Sequence, residues 1–359
     1  MIKKISIFSF VILFSFLFLE IFSRVLFKKE FENFDKRIML YSENKTFINS
    51  ENFFLYKPNT IFKSLTIYQD RETDKLVREY SYNVATNNAG LVQMSDIEFN
   101  KESVFILGAS ETKGQGALPW FYDLEKDNSN NQIQIINIGM IGTGPAQQKL
   151  LFEYIKKKYS LKVQKIVIIF SSGYFSRGIW NFNSQQIKCL KRNDNCIGTE
   201  GIYGFNFTNQ NPEKFAKKVI NARKANFSSF RDSLNEKNYS QAIKELAKKS
   251  YFIKKLYLVI RIYKSRNLSN ESNFEAINLL NANYPQKLKF IHMQGKSESK
   301  NDEISLQGIS IQNWFKEKKL IKNYKPCKIP YKGFHFNDSH ANKIGYTFLK
   351  KCVEKAINE

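Results

Sequence analysis

Four short apolar runs constrain this chain more than anything else in it. They cover residues 103–107 ahead of Gly108, 132–137 ahead of Gly139, 163–170 ahead of Ser171-Ser172-Gly173, and 288–293. Runs this short and this continuous suit strands buried on both faces, and the helical stretches between them make the connections parallel. Pro145–Lys158 reads as one such helix, with proline at its start and a lysine cluster at its end. Residues 340–358 read as the last, carrying Ile344, Phe348 and Val353 among lysines. The expected core is therefore α/β with a parallel sheet, built from residues 100–182 and 284–359. Residues 30–99 form an N-terminal extension with short strands around 64–68 and 79–86, and turns at Lys57-Pro58-Asn59 and Asn87-Asn88-Ala89-Gly90. Residues 183–283 interrupt the rhythm as a basic, largely helical insertion, read either as a cap on the core or as an amphipathic element on a membrane surface.

Residues 1–29 read as a membrane anchor. Lys3 and Lys4 precede an uncharged stretch from Ile5 to Leu19, and the apolar character resumes after Glu20 as far as Phe27. Fifteen residues of helix span only ~22 Å, too short for a ~30 Å hydrocarbon core, so the span has to include the Glu20 region. Glu20 and Arg24 are four apart and share a helix face, where they can pair near the headgroups. No small-x-small cleavage site follows the run, which favours an uncleaved anchor. Lysines and arginines after the span favour a cytoplasmic domain, but long domains translocate largely regardless of charge.

The cysteines point outward. Cys189 and Cys196 bracket a short polar loop, and Cys327 and Cys352 remain as a second pair. Neither pair has redox or zinc spacing, and two disulfides in an exported domain account for all four. The alternative is four unrelated thiols.

The chain carries 56 Lys and Arg against 33 Asp and Glu, a net charge of +23. No nucleic-acid motif organises the lysines, so no nucleic-acid partner is expected. Residues 213–266 alone hold fifteen Lys and Arg against four acidic residues. An anionic membrane surface or an acidic polymer is the partner such a surplus suits. The 42% apolar content excludes wholesale disorder.

The chemistry-bearing residues sit in the loops that leave the strands. The first is Gly108-Ala109-Ser110, the second Asn137-Ile138-Gly139-Met140-Ile141-Gly142, and the third, before the last helix, Asp338-Ser339-His340-Ala341-Asn342. Carboxyl ends of parallel strands form the ligand crevice of an open sheet, so these loops can meet there. Serine is a weak nucleophile until a base takes its proton. His340 can be that base and Asp338 can orient it. The N–H groups of Ser110 and Gly142 can face a developing oxyanion. Asn137 reads as a loop brace, His292 as a core or edge residue, and His335 as a rival base. Trp120 and Tyr122 read as core residues, with an aromatic sugar platform as the alternative.

Together these blocks resemble the SGNH (GDSL) hydrolases, in their membrane-anchored bacterial branch. The resemblance covers about residues 82–180 and 285–358 and the anchor. It implies a flavodoxin-like α/β/α sandwich and a serine esterase or O-acyltransferase that works through an acyl-enzyme at Ser110 with His340 and Asp338, without cofactor or metal. It implies an envelope glycan as substrate and a domain on the periplasmic or extracytoplasmic side. Two positions depart from the pattern. Ala109 stands where the family has aspartate, and no asparagine follows the third strand, where the family places an oxyanion donor. Ser172, the Gly173 N–H and Arg177 are the nearby groups able to replace it. The second departure also leaves open a catalytically inactive relative that binds or helps assemble cell-surface polysaccharide.

Overall fold

In the computed structural model the four apolar runs become neighbouring strands of one sheet. The structure describes residues 11, 14–26, 37–42, 47–49, 53–69, 75–128, 132–179, 205–206, 211–225, 250–253, 255–256 and 271–359. The strands are β1 (Arg37–Tyr41), β2 (Phe47–Asn49), β3 (Phe54–Tyr56), β4 (Ile61–Gln69), β5 (Leu76–Ala85), β6 (Glu102–Gly108), β7 (Gln134–Gly139), β8 (Lys162–Phe170), β9 (Phe205–Asn206), β10 (Leu288–Met293) and β11 (Tyr324–Cys327). The main helices are α1 (Ser110–Lys113), α2 (Phe121–Asp127), α3 (Pro145–Lys158), α4 (Pro212–Ala225), α5 (Glu271–Asn283), α6 (Lys296–Asn301), α7 (Leu306–Glu317) and α8 (Lys343–Asn358).

Five strands form an all-parallel sheet in the order β11-β10-β8-β6-β7. Renumbered within the sheet this is 2-1-3-4-5, the flavodoxin-like order. Alternation along β6 sends Phe105 and Leu107 to one face and Val104 and Ile106 to the other. The first face packs on Leu151 and Phe152 of α3, Ile277 and Leu280 of α5 and Phe315 of α7. The second packs on Phe121 and Leu124 of α2 and Leu349 and Val353 of α8. Phe105, Phe152 and Phe290 are fully buried, and each such side chain contributes about 1.5–3 kcal/mol relative to exposure.

The α3 helix matches its expected span, with Gly144 as N-cap, proline in the first turn and Lys156, Lys157 and Lys158 in the last. The last helix starts later than its apolar pattern suggests. Asn342 caps it by accepting from the N–H groups of Ile344 and Gly345, which places His340 in the loop before it. Cys327 of β11 and Cys352 of α8 form a disulfide that ties the sheet edge to its covering helix. Cys189 and Cys196 lie outside the described residues.

A second sheet, of order β5-β4-β1-β9, comes from the N-terminal extension and two residues of the insertion. Its outer face packs Ile38, Leu40, Leu65 and Ile67 against Ala216, Val219 and Ile220 of α4. Its inner face carries Tyr41, Phe62, Tyr80 and Tyr82 into the core.

Residues 14–26 are helical, and Phe14, Leu17, Phe18, Ile21, Phe22, Val25 and Leu26 are exposed on them. Among the described residues no helix is long and apolar enough to cross a membrane. Glu20 pairs with Arg24 at 2.8 Å, as their spacing predicts. Its carboxylate also accepts from the Ser250 hydroxyl at 2.7 Å and from the N–H groups of Tyr251 and Phe252 at 3.1 Å. Most of the expected amphipathic stretch 240–266 lies outside the described residues.

Candidate active site

The first loop is shaped by close approach. A Cβ on Gly108 would sit 1.8 Å from Thr112 Oγ1 and 2.9 Å from the Ile169 carbonyl, so the end of β6 admits only glycine. The chain then turns directly into α1, with Ser110 as its first residue. Asn137 joins this loop to the next. Its amide donates to the Val92 carbonyl at 2.8 Å and the Thr112 carbonyl at 3.3 Å, while its oxygen accepts from Gly139 N–H at 2.8 Å. This is the bracing role its position suggests. Gly142, at φ +74°, makes the turn toward α3.

The third loop carries a buried acid–imidazole pair. His340 Nδ1 donates to Asp338 Oδ1 at 2.7 Å, which leaves the ring's lone pair on Nε2. Tyr80 OH donates to Asp338 Oδ2 at 2.8 Å, and the Arg37 guanidinium lies 3.7 Å from Oδ1. Burial alone would raise the Asp338 pKa. His340, Arg37 and the Tyr80 hydroxyl together outweigh it and hold the carboxyl well below the usual range. Burial, then the Asp338 charge, push the Tyr80 hydroxyl far up, so it remains a donor. Lys296 of α6 grips the same loop, with Nζ donating to the carbonyls of His335 and Phe336 at 2.6 Å and Asp338 at 3.4 Å.

Ser110, Gly142, Gly173 and His340 all line one cavity of about 770 Å³. The Ser110 hydroxyl donates to Glu111 Oε2 at 3.0 Å. No hydrogen bond joins it to His340. His335, the rival base, is spent on the Gly116 carbonyl and packs on the Tyr80 ring. Trp120 is buried in the core and donates to the Glu111 carbonyl at 2.8 Å, so it offers no sugar platform. Tyr122 OH is bound to the backbone of Ala85.

After β8 lie the three groups expected to serve in place of an asparagine: Ser172, the Gly173 N–H and Arg177. Ser172 gives its hydrogen to Glu298 Oε1 at 2.8 Å, and His292 Nε2 meets the same hydroxyl oxygen at 3.0 Å. It therefore has no hydrogen left for an oxyanion. Arg177 Nη1 donates to the Thr143 carbonyl at 3.1 Å, and the guanidinium stacks over Tyr174 at 4.0 Å. Gly173 is exposed, and a Cβ there would meet nothing within 4 Å. Its N–H makes no hydrogen bond among the described residues, so it is the substitute with a donor to offer.

His292 is a core residue, stacked on Phe170 and bonded to Tyr324 OH as well as Ser172. Burial lowers its pKa more than nearby Glu298 raises it, which keeps the ring neutral. Glu298 also accepts from Ser305 N–H at 3.0 Å and Gly295 N–H at 2.8 Å. Burial would raise its pKa, but these bonds and the one from Ser172 hold it below the ordinary value.

Sequence reasoning missed Glu111, Arg37, Tyr80, Lys296 and Glu298. Glu111 carried a signal, being a charged residue inside the serine block. Arg37 and Tyr80 carried none, since they reach Asp338 only through the packing of the second sheet.

No family model matches the chain, and no curated protein matches it. Among solved structures, a carbohydrate esterase family 2 enzyme plus carbohydrate-binding domain from Corynascus thermopiles (Myceliophthora fergusii) is weakly similar. It shares 9% identity over 90% of this chain and 87% of that one, with a TM-score of 0.32. A likeness that low carries no weight for the chemistry, which stands on the site's own geometry.

Proposed function

We propose that this chain is a serine ester hydrolase or O-acyltransferase acting on a glycan. The observation that carries the reading is the Asp338–His340 pair, whose imidazole lines the same cavity as Ser110 beside the carboxyl ends of parallel strands. Substrate binding would turn the Ser110 hydroxyl from Glu111 toward His340. Oγ then attacks the ester carbonyl as its proton passes to Nε2. Asp338 stabilises the imidazolium. The N–H groups of Ser110, Gly142 and Gly173 are the candidate donors to the oxyanion. His340 returns the proton to the departing alkoxide, which leaves an acyl-Ser110 ester. Water or a sugar hydroxyl, deprotonated by His340, then takes the acyl group and restores the serine.

A cavity of this volume, with serine, glutamine and charged side chains set among apolar surface, suits sugar residues. The basic start and the apolar stretch 5–27 support a membrane anchor, and the two cysteine pairs support an extracytoplasmic domain. On this reading residues 30–99 contribute one wall of the site, through Arg37 and Met39.

A second reading is an inactive glycan-binding relative. It is favoured by the Ser110–Glu111 bond and by the lack of asparagine after β8. Labelling by a fluorophosphonate separates the two. The first reading expects labelling that maps to Ser110 and is lost in Ser110→Ala and His340→Ala, together with aryl acetate hydrolysis. No labelling of the wild type would overturn it.

A further inference from the structure

Residues 335–338, which lead into His340, are held by two opposite charges from different parts of the fold. One is Lys296, the first residue of α6. An ammonium has three hydrogens to donate. Its Nζ finds three acceptors in this one loop, the carbonyls of His335 and Phe336 at 2.6 Å and of Asp338 at 3.4 Å. The other is Glu79 of β5. Its carboxylate accepts from the Asn337 N–H at 2.8 Å and from the Asn337 side-chain amide at 2.7 Å. The His335 N–H closes the loop by donating to the His340 carbonyl at 3.1 Å.

Three carbonyl dipoles converging on one point repel one another unless a cation stands there. The shape of the loop therefore depends on the ammonium, and bonds to a charged group are stronger than neutral ones. Glu79 and Lys296 also act on each other. Burial lowers the pKa of Lys296, the charges of Glu79 and then Asp338 oppose that, and Lys300 adds to it. Neither Lys296 nor Glu79 hydrogen-bonds the Asp338 carboxylate or the imidazole. Asp338 Oδ1 meets His340 Nδ1 and Oδ2 meets Tyr80 OH. Lys296 and Glu79 instead grip the loop that carries that pair.

We propose that Lys296 and Glu79 are positioning residues, whose opposite charges set residues 335–338 so that the Asp338 carboxylate meets His340 Nδ1 and leaves Nε2 free to act on Ser110. This rests on the reading of His340 as the general base and adds the two residues that hold it in register.

The test uses the full chain with isotope-labelled histidine, of which it has three. The buried His340 Nδ1 proton, shared with a carboxylate at 2.7 Å, is expected as a far-downfield resonance, assigned by its loss in His340→Gln. It should shift or vanish in Lys296→Met and in Glu79→Gln, and be kept in Lys296→Arg. Ser110 labelling by a fluorophosphonate should slow about ten- to hundredfold in Lys296→Met. In aryl acetate hydrolysis that loss should fall on kcat, with KM nearly unchanged. Lys296→Ala should regain part of its labelling rate on addition of propylammonium, which restores the missing cation, and none on addition of propanol. Thermal midpoints show which variants are folded, and Glu79→Gln decides if the lysine variants are not. An unmoved resonance in folded Lys296→Met or Glu79→Gln would overturn the proposal, whether or not labelling slows. Absence of the resonance from the wild type would overturn the Asp338–His340 pair and the clamp with it. No labelling of the wild type, with a resonance that Lys296→Met abolishes, would instead overturn the esterase reading and leave the clamp standing.

Discussion

Ser110 donates its hydroxyl hydrogen to Glu111, its own neighbour in α1, across 3.0 Å. A hydroxyl committed to a carboxylate is not poised on an imidazole. The Asp338–His340 pair is assembled, and the Ser110 hydroxyl is bonded elsewhere. On the proposed reading all three members of the set are present, and the Glu111 carboxylate holds the serine hydroxyl.

Removing that carboxylate should release the serine. Hydrogen bonds to charged groups contribute roughly 1.5–3 kcal/mol, so Glu111→Ala should speed fluorophosphonate labelling of Ser110 by about tenfold or more. Glu111→Gln should fall between. Labelling rates under identical conditions decide this. A slower rate in Glu111→Ala would make Glu111 the working base.

Asp338 should leave a mark on acid stability. Its pKa is depressed in the folded state, so the stability it contributes is present above its ordinary value near 4 and is lost as pH falls toward the folded value. Urea midpoints measured from pH 6 down to pH 2 should drop steeply in the wild type. They should drop less steeply in Asp338→Asn, which begins less stable at pH 6. The same variant should lose about 10²–10⁴ in hydrolysis, as misoriented imidazoles do.

Lys113 presents the opposite sign. It is fully buried, its Nζ has no hydrogen-bond partner among the described residues, and that atom lies 5.4 Å and 5.2 Å from the ring centres of Tyr41 and Tyr56. Burial pushes its pKa down to about 7. Between that value and 10.5 the unfolded chain binds the extra proton, so stability should rise with pH through this window. Lys113→Met should raise stability at pH 7 by a few kcal/mol and flatten the alkaline rise. Midpoints at pH 7 and pH 10 measure both. A destabilised Lys113→Met would show that the two aromatic rings hold the ammonium well enough to compensate for its burial.

The Cys327–Cys352 bond closes a loop of 25 residues. Cross-links over loops of this size contribute about 2–4 kcal/mol. Replacing both cysteines by serine should lower stability by that amount, read from denaturant midpoints. Reductant should then destabilise the wild type and leave the bond-free variant unmoved.

The central strands were readable because they are covered on both faces, so their apolar runs are unbroken. β11 was not, since Tyr324-Lys325-Pro326-Cys327 is an edge strand in which lysine and proline are tolerated. β1 was hidden differently. Ile38 and Leu40 face α4 while Arg37 and Met39 face the cavity and Tyr41 the core, too short a pattern to register beside the basic flank of the expected anchor. The serine, glycine and histidine loops were legible as local motifs. Their setting was not, because 258 residues separate Tyr80 from the Asp338 carboxylate it binds. Local spacing carries no information about a contact made by sheet-on-core packing. The pairing of Ser172 with Glu298 escaped for the same reason, at a separation of 126.

The second sheet has a practical consequence for anyone shortening this protein. A fragment starting near residue 100 would retain serine, histidine and aspartate and look sufficient on paper. It would also strip Asp338 of Tyr80 and Arg37, exposing a carboxylate whose acidity and aim both depend on them. Such a fragment could fold, fail every assay and be mistaken for an inactive homologue. The smallest piece worth purifying begins upstream of Arg37.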